Sequence, residues 1–464
     1  MEAFFHLRER GTTVRTELMA GLTTFMAMAY ILMVNAGIFA TLEGQVTYGA
    51  VYIATAVSAV FGTVLIGLLA NLPLAQAPGM GLNAFFVYTV CLGMGLTYAN
   101  ALVLVLLDGL IFLVLTLTGL RRKIFAAIPA AVRTAIPAGI GLFIAFLGLQ
   151  NAGLVVDNGA TLVSLASFNL YSGTATWADI MPLLVTVAAV LAIAAMSQRG
   201  VRGSVLYGIL GATAAYYAFG VTIPGFYDGF SLSFDPFAAF GEFVELSLGT
   251  VFTEGFRFGP YMETHGVGGF IVMLVTTALA FCMVDLFDTM GTLYGACARG
   301  DLLTEEGEVP NMDKAMLADA VATTVGAVCG TSTVTTFVES SAGVGEGGRT
   351  GLAALSTAAC FFVAMFLSPV ARLIPGCATA AALIYVGVLM MSCVREIDWS
   401  TPQTAVPAFL TVAMMPFTYS ISFGIGFGLI SYAVLAVCTG RARELRPTAW
   451  VVAALFALTF FPTH

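Results

Sequence analysis

From Leu18 to Cys438 the chain is a succession of apolar runs, most of them near the length of about 20 residues that a helix needs to cross the hydrocarbon of a bilayer. They fall at 18–40, 48–70, 77–95, 99–120, 131–150, 180–197, 204–220, 267–298, 314–330, 334–348, 350–371, 376–394, 402–418 and 421–440. Inside hydrocarbon a backbone has no water to bond to, so such a chain satisfies its own N–H and C=O groups as helices. Composition agrees. Only 9% of the 464 residues are charged and 59% are hydrophobic, against roughly 25% charged in a soluble domain. The expected fold class is an all-α polytopic membrane protein of about 14 spans. A further apolar run, 448–462, is short, and the sequence leaves open whether it crosses.

Loop charges orient this map. With the N-terminus inside, the cytoplasmic side receives Arg8, Arg10, Arg15, Arg121, Arg122, Lys123, Arg133, Arg199, Arg202, Arg299, Lys314, Arg349, Arg395, Arg441, Arg443 and Arg446. Only Arg257 and Arg372 fall outside, the split that the positive-inside rule describes. The long connection 221–266 carries Asp228, Asp235, Glu242, Glu245, Glu254 and Glu263 and reads as an external acidic loop. The N-terminus has charges where a signal peptide needs its apolar core, so no cleavage is expected. No basic cluster is large enough for nucleic acid. The eight cysteines show no CxxC spacing, and His6, His265 and His464 all lie outside the apolar spans. Neither a metal nor another cofactor is expected.

Two spans are abnormal. The third opens AQAPGMGLNAFF (75–86), with Pro78, Gly79 and Gly81 where a helix would be in mid-course. The tenth opens CGTSTVTTFVESSAG (329–343), a β-branched, hydroxyl-rich stretch that favours extended chain. Each is third in its set of seven, and interrupted segments at matching positions of two halves point to a transporter's binding site. The halves echo again at Ile128-Pro129 and Ile374-Pro375, with Gly141 and Gly387 each twelve residues after the proline. Seven spans per repeat makes the repeats inverted relative to each other.

Ionisable groups at mid-membrane cost about 2.5–3.5 kcal/mol each and are functional candidates by default. Four stand out: Asp108, Asp285, Asp288 and Glu339. Asp285 and Asp288 share a helical face with Thr289 and Thr292. Glu339 follows the extended stretch of span 10, and Asn83 follows the Pro-Gly break of span 3. With no Lys or Arg in the sequence at that depth, burial favours carboxyls that take up a proton. Neutral hydrogen-bonding cargo suits such a site, and a planar heterocycle could stack on Phe337, Phe287, Phe85 or Phe86. Structural readings compete: Asp108 has no polar company in its span, Asp288 could bond the neighbouring threonines, and Asn83 could cap a helix.

The stretches TTFMAMAYILMVN (23–35), QAPGMGLNAFF (76–86), VDLFDTMGTL (284–293) and GTSTVTTFVESSAGVGEGGRTGL (330–352) resemble the AzgA-like hypoxanthine/guanine/adenine permeases of the nucleobase–cation symporter family. The resemblance runs from about residue 11 to 462. It implies two inverted seven-helix repeats, 1–220 and 267–440, around the loop 221–266, with 441–464 as a basic segment and short apolar helix. Spans 1–4 and 8–11 would form a core domain, and spans 5–7 and 12–14 a gate. The extended stretches of spans 3 and 10 would pair as a small sheet.

By motif, the family's span-8 carboxylates fall on Asp285 and Asp288, its span-10 carboxylate on Glu339, and its span-3 glycine and asparagine on Gly81 and Asn83. The implied function is proton-coupled import of a purine base across the cell membrane. Some members of the wider fold are dimers through their gates, which extends the expectation to a homodimer. Sodium in place of the proton stays open, because carboxylates and hydroxyls such as Thr289 and Thr292 also bind sodium. An anion transporter of the same fold is disfavoured by the ring of acids. An intramembrane aspartyl protease is disfavoured because Asp285 and Asp288 share one helix.

Overall fold

The structure, a computed structural model, describes residues 2–119, 128–170, 175–223, 235, 237–299, 302–304, 308–442, 445 and 447–459. Arg121, Arg122, Lys123, Asp228, Arg443, Arg446 and His464 lie outside the described residues. Ten helices among the described residues are long and apolar enough to cross a membrane. In chain order they are span 1 (Val14–Phe39), 2 (Tyr48–Leu69), 4 (Tyr98–Leu117), 5 (Ala130–Asn151), 6 (Trp177–Gln198), 7 (Ser204–Thr222), 8 (Gly259–Ala298), 11 (Gly351–Ala371), 12 (Gly376–Glu396) and 14 (Ile421–Cys438). Span 9 (Met312–Cys329) is made more polar by Asp313, Lys314 and Asp319, and span 13 (Pro402–Phe417) is short. Six spans open on a Thr or Ser whose side-chain oxygen accepts a first-turn N–H, so the helix starts are written locally.

Spans 3 and 10 are built as expected, part extended and part helical. Span 3 is strand β1 (Gln76–Pro78) followed by apolar helix Met80–Gly93. Strands β2 (Val155–Asn158) and β3 (Leu162–Leu165) form a hairpin after span 5 that the sequence reading did not anticipate. Span 10 is strand β4 (Val334–Thr336) followed by the short helix Ser340–Gly345. β1 and β4 pair antiparallel, Gln76 opposite Thr336, Ala77 opposite Thr335 and Pro78 opposite Val334. Two flanking bonds extend the ribbon, Gly79 N to Thr333 O (2.9 Å) and Phe337 N to Ala75 O (3.0 Å). Pro78 drives this locally, because a residue before proline is pushed out of the helical region, and five hydroxyl residues within 331–336 do the same on the other strand.

Packing sorts the helices into two groups. Spans 1, 2, 4, 8, 9 and 11 pack on one another around the ribbon. Spans 5, 6, 7, 12, 13 and 14 pack mainly among themselves. Small residues set the closest approaches, as membrane helices require in the absence of a hydrophobic drive between them. Gly141 and Gly387, the matched glycines of the two halves, face each other where spans 5 and 12 cross. A Cβ on Gly141 would lie 2.8 Å from the Gly387 carbonyl and 2.6 Å from Met390 Cβ. Gly67 meets Gly351 in the same way between spans 2 and 11.

Span 8 opens with a short helical segment from Gly259, set off from the rest by Gly266 at φ 71°, where the backbone leaves the helix. The described part of the acidic connection before it includes helices Ala238–Leu246 and Thr250–Thr253. After span 14, helix Pro447–Thr459 packs along spans 14 and 8. Its 13 residues reach ~20 Å, short of the ~30 Å of a bilayer core. The terminal apolar run therefore lies against the bundle over its described part.

These contacts predict unequal effects of the same substitution. Gly387→Ala drives a methyl into the span 5 backbone and Ala145, and should destabilise the protein by about 1–3 kcal/mol. Gly211→Ala in span 7, with open space at its Cβ position, should be neutral or better. Melting temperatures of both variants in one detergent check the contrast.

Candidate functional site

Polar side chains of spans 8 and 9 converge on the ribbon, and alternation along its strands sends side chains to two faces. On one face Gln76 and Thr336 are paired, and the Gln76 amide donates to Thr336 Oγ1 (3.3 Å) and to Asp319 Oδ1 of span 9 (3.2 Å). Thr289 of span 8 donates to the same Asp319 carboxylate (2.9 Å to Oδ2) and lies 3.4 Å from Asp285 Oδ1. Asp285, Thr289, Asp319 and Gln76 are all fully buried. On the other face Thr335 donates to Asp288 Oδ2 (3.2 Å). Gly79 leaves room there: a Cβ on it would sit 3.5 Å from Asp288.

Glu339 stands at the N-terminal end of helix Ser340–Gly345, directly after the ribbon. Its Oε1 accepts the Tyr30 hydroxyl of span 1 at 2.6 Å. Its Oε2 is buried without a hydrogen-bond partner among the described residues. Glu339 and Asp288 are close enough to interact electrostatically. Thus the three acids expected to form the site, Asp285, Asp288 and Glu339, gather around one ribbon, two on span 8 and one on span 10.

The span-3 residues have structural partners as well. Asn83 donates to Pro78 O (3.3 Å) and accepts from Ser332, so its amide ties the start of the span 3 helix to the segment leading into β4. Gly81 is where span 3 meets span 5, and a Cβ there would lie 2.6 Å from Ile140 Cγ2. Asp108 of span 4 accepts from Thr333 (3.2 Å) and so has polar company after all, supplied by a different span.

Phe337, whose backbone flanks the ribbon, is buried, and so is Phe287 on span 8. Phe85 and Phe86 do not offer a free stacking face. Phe85 packs edge-on against Phe281 (4.8 Å between ring centroids), and Phe86 packs on Phe39 (4.9 Å) and Tyr98 (6.0 Å), deep in the apolar core.

Sequence reasoning missed three members of the cluster: Asp319, Gln76 and Tyr30. Asp319 carried a usable signal, an acid well inside an apolar run, masked by the nearby Asp313 and Lys314 that made the span look like a polar start. Tyr30 and Gln76 had none, since each acquires its role only through a partner more than 200 residues away. Glu17 is a further buried acid, and its part is structural. It accepts Arg349 N (2.8 Å), Thr350 Oγ1 (2.9 Å) and Ala353 N (3.1 Å), capping the N-terminus of span 11.

A helical bundle whose two interrupted spans meet as a ribbon, with acids around it, is the inverted-repeat fold of membrane transporters. The transmembrane domain of a cyanobacterial bicarbonate transporter, BicA, shares this fold, with a TM-score of 0.60 at 15% identity over 89% of this chain and 97% of that one. Residues 15–427 match the Permease family Xan_ur_permease, and the chain belongs to that family. It is 39% identical to the adenine permease AdeP of Escherichia coli over 100% of this chain and 97% of that protein. It is 40% identical to the guanine/hypoxanthine permease PbuG of Bacillus subtilis, over 99% of both. The protein is a transporter of the nucleobase permease family, as its motifs implied.

The contact at Gly81 generates a test. Gly81→Ala should lower transport by roughly five- to a hundred-fold, if the about 1–3 kcal/mol of overpacking falls on the working geometry. The double variant with Ile140→Ala should recover most of that loss. Initial uptake rates, normalised to the amount of protein in the membrane, give the comparison.

Proposed function

We propose that this protein imports a purine nucleobase together with a proton. The observation that carries the reading is the gathering of Asp285, Asp288 and Glu339 at the ribbon, in a chain similar along its whole length to purine permeases. Carboxyl oxygens are acceptors for ring N–H groups, and protonated carboxyls are donors for ring nitrogens and carbonyls. A purine carries both patterns on a flat apolar body, and Phe337 supplies an apolar wall for it. Asp285 and Glu339 bind the base in this scheme, with Gly81 and Asn83 bounding the pocket from span 3. Asp285, Asp288 or Glu339 carries the coupling proton. A proton among them relieves the like-charge repulsion that three carboxylates would suffer in low dielectric.

Transport follows by alternating access. Spans 1–4 and 8–11 act as a core carrying the ribbon, and spans 5–7 and 12–14 act as a gate against which the core moves. The matched division of the packing supports this reading. The arginine-rich loops favour an N-terminus on the cytoplasmic side of the cell membrane. A homodimer through the gate groups is the expected assembly.

Uptake of labelled adenine, hypoxanthine, guanine and uracil by cells lacking their own permeases tests the function. Purine uptake should collapse with a protonophore and survive removal of sodium. Loss with sodium removal alone would overturn proton coupling, and no purine uptake by the inserted protein would overturn the substrate class. Glu339→Gln and Asp285→Ala should each abolish uptake with the protein still in the membrane; normal uptake by both would dismiss the site assignment.

A further inference from the structure

Glu339 has two carboxyl oxygens, and the structure treats them differently. Oε1 accepts the Tyr30 hydroxyl at 2.6 Å, whereas Oε2 is buried and has no hydrogen-bond partner among the described residues. A buried polar oxygen left unsatisfied is costly, because it has given up water for nothing. Such a cost is sustained at a site where another group completes the bond. Tyr30 itself is 1% exposed, with its ring held among the buried side chains of span 1 and the core around it, so its hydroxyl is fixed in place.

We infer that Tyr30 is a positioning residue that fixes which oxygen of Glu339 meets the nucleobase, and thereby selects between bases that present a ring N–H and bases that present a ring nitrogen lone pair at that point. The inference rests on the proposed role of Glu339 in purine binding. Its chemistry is simple. A phenol hydroxyl has one hydrogen, and giving it to Oε1 makes that oxygen the acceptor. Any proton on the carboxyl then resides on Oε2. Ionised, Glu339 presents Oε2 as an acceptor to a ring N–H; protonated, it presents an O–H to a ring nitrogen or carbonyl. In either state one atom in one place faces the ligand. Sites built this way discriminate strongly, because the wrong base leaves a buried polar group unpaired.

Without the hydroxyl of Tyr30, the carboxyl can turn, and either oxygen can carry the proton. Both ligand patterns are then accommodated. An amide makes the asymmetry visible. In Glu339→Gln, Tyr30 should hold the carbonyl oxygen, which leaves the NH₂ group at the Oε2 position as a donor only. Removing the tyrosine hydroxyl frees the amide to flip.

Adenine and hypoxanthine are suitable probes, since N1 of adenine is an acceptor and N1 of hypoxanthine carries a hydrogen. Binding to purified protein in detergent, by calorimetry, reads the effect without requiring transport. Wild-type protein should prefer one base by at least about tenfold, a gap of 1.4 kcal/mol. Tyr30→Phe should still bind purine, with the ratio reduced to within about threefold. Glu339→Gln should favour adenine over hypoxanthine, and the double variant Tyr30→Phe/Glu339→Gln should lose that preference. An unchanged adenine-to-hypoxanthine ratio in Tyr30→Phe would overturn the inference while leaving the purine reading intact. Were Tyr30→Phe to fold poorly, Glu339→Gln carries the test alone, and a preference for hypoxanthine or for neither base in that variant would overturn the inference too. A wild-type protein that binds neither base removes the functional reading itself, and this inference with it.

Discussion

Everything in this molecule depends on satisfying extended backbone in the middle of a membrane. Helices bond internally, but two strands of three residues do not, and hydrocarbon offers them no water. Their inner edges bond each other. Their outer edges are met by hydroxyls brought from other spans: Thr63 of span 2 bonds both N–H and C=O of Gln76 (3.0 Å each), Thr323 of span 9 donates to Val334 O (3.0 Å), and Ser340 accepts from Ala75 N (3.0 Å). The ribbon is therefore a hub, because spans 2, 3, 9 and 10 must all be in place before its polar groups are paired.

That requirement explains why polar side chains concentrate there. A network that satisfies backbone in low dielectric also holds carboxyls at defined positions, with Thr289, Asp319 and Gln76 on one face of the ribbon and Thr335 and Asp288 on the other. Hydrogen-bonded networks of this kind are rigid, and rigidity is what a binding site needs if it is to read a hydrogen-bonding pattern. Asn83 and Asp108 belong to the same frame: they bond Ser332 and Thr333, the residues leading into β4.

The two ends of the bundle are tied differently from its centre. Outside the hub, an ion pair joins Arg202, between spans 6 and 7, to Glu346 at the end of span 10. Another joins Arg372, after span 11, to Glu242 of the acidic connection (2.6 Å), which also accepts from Thr47 at the start of span 2 (2.6 Å). Both pairs are partly exposed, and exposed pairs contribute little stability and break readily. Tyr419 forms another link, donating to Gln150 of span 5 while its carbonyl accepts from Thr89 of span 3. Weak ties at the rim and a rigid hub within are compatible with groups of helices that shift as units.

The sequence by itself determined the class of fold and the interruptions at the heart of it. Runs of apolar residues near the length of a bilayer crossing leave a backbone only the helix, and Pro78 and the 331–336 hydroxyl stretch break two of those helices through local sterics alone. The acids at 285, 288 and 339 were legible because a charge in an apolar run is expensive wherever it packs. Tertiary structure decided what local pattern cannot encode: that Gln76 lies opposite Thr336, that Asp319 belongs to the network, and that Tyr30 bonds Glu339. Hydroxyl and amide side chains are ordinary in a membrane helix, and they become parts of a site only when a distant span supplies the atom they bond. The aromatic residues teach the converse, since Phe85 and Phe86 looked available beside the Pro-Gly break until neighbouring spans covered their faces. Periodicity and composition are local properties, whereas pairing depends on which spans the chain brings together.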